Sequence, residues 1–188
     1  KYDEVLFGYI GCEAGLTARF MLALGRKDEA IDIAVELLKQ GKYCGEEPWT
    51  LLAILTEDAL NRRDLDAAER YATAMLIQPV ERPADLRRAG TLLRMEAAFG
   101  AGEDGIKVLT KCLPWTENLW DQRLRFYFYL GAARFCQAYS AEHTEIKLPH
   151  VPGFTDCPEN GVYDCAALTQ WFWSQAEKIG AHFDRRNG

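Results

Sequence analysis

The sequence lacks the short motifs that usually announce an enzyme. It has no Gly-rich phosphate loop, no GxGxxG, no GxSxG and no HExxH. Carboxylates are plentiful, but any helical chain shows as many, so no catalytic residue and no cofactor is expected. It lacks an apolar run near the roughly 20 residues that a bilayer-spanning helix needs, and no segment reads as a signal peptide. It begins at Lys1 rather than methionine, as a fragment or processed product would. It also lacks basic excess. The net charge is −6 and the isoelectric point near 5.2, which argues against nucleic acid as a partner and suits a basic protein surface.

Cysteine is sparse. Six in 188 residues are too few for a disulfide scaffold. No CxxC pair occurs, and His143, His150 and His182 are not at zinc-site spacing, so no metal ligand set is expected. Cys12, Cys44, Cys112 and Cys136 are scattered, mostly among apolar residues, and are read as buried thiols. The cytoplasm is the expected compartment.

What is present is helix after helix. Hydrophobic residues make up 48% and charged residues 27%, the composition of an ordinary globular chain. In "EAGLTARFMLALGRKDEAIDIAVELLKQ", residues 13–40, two helical patterns break at Gly25. Ala30, Ile33, Ala34, Leu37 and Leu38 fall on one face of the second, and Gly41 ends it. Residues 47–78 repeat the theme, with Pro48 suited to a first turn and Pro79 barring continuation. Residues 83–113 repeat it again around "GAGED". A long aromatic helix is expected from about Glu117 to Tyr139, and "CAALTQWFWSQAEKIGAHFDRR" closes the chain. The fold class is therefore all-α, with seven to nine helices in one domain spanning 1–188. Its hairpins lie at about 13–40, 47–78, 83–113 and 117–184, the last carrying an irregular insert at 140–163.

The hairpins align. "ALGRKDEAIDIAVELL", "ALNRRDLDAAERYATAML" and "AAFGAGEDGIKVLTKCL" each place a small residue just inside the second helix: Ala30, Ala67 and Gly105. In the middle unit Ala67, Tyr71, Ala74 and Pro79 give small, aromatic, small, proline. Gly25 and Gly100 precede the second helices of the flanking units, and Arg62 stands at that place in the middle one. On these residues the stretch 13–115 resembles the tetratricopeptide repeat family, whose helix–turn–helix unit is about 34 residues long. Its units are somewhat longer, and it lacks most of the family's first-helix signature. The resemblance implies antiparallel hairpins stacked as a right-handed superhelix, with first helices lining a concave groove that holds a protein or peptide.

Two first helices carry arginines. Arg87 and Arg94 are seven residues apart and share a face, as do Arg123, Tyr127 and Arg134. Arginine beside tyrosine suits carboxylates, so these five are the candidate ligand-binding residues for an acidic segment. A solvated, ion-paired face is the alternative. For the whole protein, a binding module is the first expectation. A small acidic antagonist of another protein is the second, and an enzyme with a pocket under the insert is the third.

The insert, "PHVPGFTDCPENGVYDC" from Pro149 to Cys165, raises three further possibilities. Asn160-Gly161 signals a tight turn, and a hairpin there could join Cys157 to Cys165 in an oxidising compartment, periplasmic or secreted. A metal held by His150, Asp156 and Cys157 lacks a recognisable spacing. Cys165 lies near a helix start, which favours a thiolate, but the adjacent Asp164 opposes it. Finally, Trp171, Phe172 and Trp173 are consecutive and cannot all face one core. Phe154 or Tyr163 of the insert is expected to cover one of them; otherwise an exposed ring would suit a partner.

Overall fold

The computed structural model describes residues 2–41, 43–155 and 157–187, with side chains described from residue 11 to residue 186 within those ranges. The described residues are about 70% helical. They form eight α-helices and one two-stranded sheet, so the all-α class holds. No helix among them is long and apolar enough to cross a membrane. The chain divides into two compact units, Lys1–Gln78 and Pro79–Gly188.

The first unit contains α1 (Tyr2–Ala23), α2 (Lys27–Gln40), α3 (Trp49–Asn61) and α4 (Leu65–Met75). α1 packs on α2, and α3 on α4. Ala18, Ala30, Ala34, Leu51 and Leu55 form its buried cluster, with Tyr71 against it. The small residues sit where helices meet: Ala30 and Ala67 are at most 3% exposed. α2 stops at Gly41, which takes a left-handed φ of 61°. Pro48 is the residue before α3, rather than inside its first turn. In the α1–α2 turn Gly25 is left-handed, at φ 76°. In the α3–α4 turn the left-handed residue is Arg63, at φ 60°, one position after the Arg62 that alignment put there. Asp64 then caps α4 by accepting from the Ala67 amide at 3.1 Å.

The second unit contains α5 (Leu86–Phe99), α6 (Glu103–Cys112), α7 (Gln122–Tyr139) and α8 (Cys165–Asn187). α7 packs against both α5 and α8. It begins later than expected. Pro114 lies in a short 3₁₀ turn (Leu113–Thr116), and Asp121 caps the helix by accepting from the Arg123 amide at 2.9 Å. Gly105, the small residue of the third alignment, faces the Phe135 ring, where any Cβ would collide.

The insert is not irregular throughout. β1 (Glu145–Lys147) pairs antiparallel with β2 (Val162–Asp164), in a register that sets Ile146 opposite Tyr163. The loop between them turns at Pro158–Gly161, where the Gly161 amide donates to the Pro158 carbonyl at 3.0 Å. Gly161 is left-handed and Asn160 is not, so the Asn-Gly pair ends a turn leading into β2. Ile146, Leu148, Val151 and Tyr163 are at most 3% exposed and join one core with Leu168 and Phe172. The three consecutive aromatics separate as three directions on a helix require. Phe172 is fully buried. Trp171 meets the insert's Phe154 edge-to-face at 5.9 Å. Trp173 turns toward α7.

Candidate functional site

The five sequence-predicted residues fall into three settings. Arg87 of α5 lies over Tyr127 of α7, with its guanidinium carbon 3.7 Å from the ring centroid, a cation–π contact between the two first helices. Arg94 is half-buried two turns further along α5. Arg123 sits at the start of α7, where its Nη2 pairs with Asp121 at 3.1 Å while the side chain stays 73% exposed. This is the solvated pair of the alternative reading, of little energetic weight. Arg134, two turns beyond Tyr127, lies instead over Trp173 of α8, 4.9 Å from its ring. The structure thus joins Arg87 to Tyr127 and gives Arg123 and Arg134 other partners.

Arg134 and Trp173 adjoin a shallow cleft between α7 and α8. It has a volume of ≈ 600 Å³ and is lined by residues including Gln137, Ser140, Thr169, Gln170, Trp173 and Glu177. The Thr169 hydroxyl donates to the Cys165 carbonyl at 2.8 Å, so it is spent within its own helix. The exposed amides of Gln137 and Gln170 have no intramolecular hydrogen-bond partner among the described residues. A primary amide offers both a donor and an acceptor. The cleft therefore presents an indole, two amides and the Glu177 carboxylate, with the Arg134 guanidinium over the indole; the amides suit a peptide backbone and the guanidinium a carboxylate. Sequence inspection singled out Arg134 and the "QWFWSQ" stretch separately. Their meeting depends on how α7 packs against α8, which spacing within either helix does not encode.

The insert holds a second cluster. Cys157 and Cys165, which a hairpin could have joined, are both free thiols. Cys165 begins α8 inside the core at 1% exposure, while Cys157 is exposed. Cys157 instead meets the Tyr163 hydroxyl at 3.0 Å and His150 Nδ1 at 3.3 Å. The Tyr163 oxygen accepts from the Val151 amide at 3.2 Å and lies 3.2 Å from the Pro149 carbonyl, so its one proton is shared between that carbonyl and the Cys157 sulfur. Hydrogen bonds from Tyr163 and then His150 hold the Cys157 thiol below its usual pKa. Burial raises that of Cys165, so the thiol near the helix start is not the activated one. No group of three metal-ligating side chains exists among the described residues; Asp156 lies outside them.

No match to a family model, a curated protein or a solved structure was found. The functional reading therefore rests on the geometry of this chain.

Proposed function

We propose that the protein is a non-catalytic binding module of tetratricopeptide-like helical-repeat type, which holds an acidic segment of a protein or peptide. The observation that supports this most directly is Arg134 stacked over Trp173 beside the α7–α8 cleft. Stacking presets the guanidinium plane, so less side-chain entropy is lost when a carboxylate binds it. No ion pair to an acidic side chain of the protein occupies Arg134 among the described residues. Arg87 likewise lies over an aromatic ring, that of Tyr127.

The test is a fluorescence-anisotropy panel of acidic, neutral and basic peptides of equal length. Acidic peptides are expected to bind best, and Arg134→Ala and Trp173→Ala to weaken them at least tenfold with unchanged far-ultraviolet circular dichroism. Binding that ignores both substitutions overturns the site. Preference for basic peptides, with steep loss in salt, would instead favour an acidic antagonist.

A further inference from the structure

Two cysteines depart from the buried, inert reading. Cys112 and Cys136 are fully buried, but Cys12 is exposed and Cys44 half-buried. Cys12 lies on α1 and Cys44 in the loop between α2 and α3, 32 positions later, yet their sulfurs are 2.7 Å apart. That exceeds an S–S bond, about 2.05 Å, by a fraction of an ångström, and it is closer than two unbonded sulfurs ordinarily rest.

The surroundings fix this approach on both sides. In the loop, the amides of Glu46 and Glu47 point at the Cys44 sulfur, at 3.4 and 3.1 Å. The Cys44 amide donates to the Glu47 carbonyl at 2.9 Å, closing a tight turn. Glu47 then ties that turn to the helices. Its carboxylate is 2% exposed, accepts from the Leu51 amide of α3 at 3.1 Å and pairs with Arg19 of α1 at 3.3 Å. Gly15, nearly one turn after Cys12 on α1, leaves room for it: a Cβ there would stand 2.5 Å from the Glu47 side chain. α1 and the loop therefore touch at neighbouring points, and the sulfurs meet beside an anchored contact. No third ligand joins them in a metal-holding group among the described residues.

We propose that Cys12 and Cys44 are a dithiol that closes reversibly to an intramolecular disulfide by exchange with a small-molecule disulfide of the glutathione class. One protein thiolate attacks a sulfur of the oxidant, forming a mixed disulfide and releasing one thiol. The second protein thiolate attacks the protein sulfur of that bond and releases the other thiol. In total the dithiol and RSSR give the protein disulfide and two RSH, the two protons going to the released thiols. While Cys44 is free, Cys12 keeps its proton: the hydrogen bond to Cys44, then burial and the charges nearby, push its pKa up to about 11. Capture of Cys44 in the mixed disulfide removes that hydrogen bond and the Cys44 charge, and Cys12 then gives up its proton and attacks. Cys44, towards which two amides point, is the sulfur that opens the exchange. The closed form staples α1 to the loop that precedes α3.

The test incubates the full chain with oxidised glutathione, then counts thiols after unfolding and maps peptides without reduction. Beyond any glutathione adduct on the exposed Cys157, two of the six thiols are expected to disappear, with a cross-linked peptide pair carrying Cys12 and Cys44 whose mass lies about 2 Da below the sum of the two reduced peptides. The melting temperature should rise and return on reduction. Cys12→Ser is expected to stop at a glutathione adduct on Cys44 and never to lose the two hydrogens. Mapping on the unaltered chain keeps the test independent of whether that variant folds. Survival of the Cys12 and Cys44 thiols, or a cross-link through other cysteines, overturns the proposal.

Discussion

Gly131 of α7 rests on the backbone of Gly90 of α5: a Cβ on Gly131 would stand 2.1 Å from the Gly90 carbonyl oxygen. One on Gly90 would stand 2.3 Å from the carbonyl oxygen of Tyr127. Two helices approach this closely only where neither carries a side chain, and the approach helps bring Arg87 over Tyr127. Gly131→Ala must push backbone against backbone, which has no flexible end to yield. Its expected cost is about 1–3 kcal/mol or more by urea unfolding. Gly180 of α8 is the internal control, because its Cβ would meet only the Phe126 ring at 3.5 Å. Gly180→Ala should be neutral or gain up to about 1 kcal/mol from helix propensity. Equal effects of the two would refute the close crossing.

Asp85 is a buried carboxylate, 3% exposed, just before α5. It accepts from the Glu81 and Arg82 amides at 3.0 Å each and from Arg88 Nη1 at 3.3 Å. Arg88 is itself 4% exposed, and burial pulls its pKa below the usual guanidinium value. Asp85→Ala removes the charge that balances that cation, so about 3–5 kcal/mol should be lost. Arg82 reaches the same carboxylate from the exposed side, at 3.5 Å, and Arg82→Ala should cost about 0–1 kcal/mol. Replacing Asp85 and Arg88 together by leucine should cost less than Asp85→Ala alone, as measured by urea unfolding. A smaller loss for Asp85→Ala than for Arg82→Ala would contradict this account.

Those two sites show what the sequence makes legible and what it hides. Helix spans were readable because apolar residues recur at helical spacing and because Gly25, Gly41, Gly100 and Pro114 punctuate them. The small residues Ala30, Ala67 and Gly105 were readable as close contacts for the same reason. Asp85 was not singled out, because its partners depend on a local turn that periodicity does not register. Arg134 and Trp173 were each noticed, but their stacking is a contact between helices about 40 positions apart. The possible Cys157–Cys165 bridge is not formed, because β1 pairs with β2. That register swings the intervening loop back over Tyr163 and commits Cys165 to the core.

Phe154 anchors the insert. It meets Tyr163 edge-to-face at 5.5 Å and Trp171 at 5.9 Å, and it is half-buried. A fully buried Phe→Ala costs about 3–5 kcal/mol, so Phe154→Ala should cost roughly half of that. It should also redden the tryptophan emission as Trp171 gains water. Amide exchange should accelerate at Phe154 and Leu148, whose amides donate to Val151 and Gly161 carbonyls. Deleting residues 149–163 should go further and raise dye binding or self-association. Unchanged emission and exchange in Phe154→Ala would mean the insert is held elsewhere.

The remaining prediction concerns thiol selectivity. Burial raises the pKa of Cys112, to about 12, and that of Cys136; burial and then the Asp164 and Glu145 charges raise that of Cys165. Cys12 rises to about 11. Cys157 moves the other way and is exposed. A depressed pKa means the thiolate persists as pH falls, and the thiolate is the form that alkylates. Iodoacetamide at neutral pH should therefore mark Cys157 ahead of these four, as read by peptide mass mapping. Its rate should reach half-maximum below the ordinary thiol value of about 8.5. Tyr163→Phe removes the larger contribution and should move that midpoint up most; His150→Ala should move it up less. Both directions follow from losing a donor to the thiolate. A Cys157 profile that matches a free cysteine, or that neither substitution shifts, would show that the two hydrogen bonds do not hold the thiolate in solution.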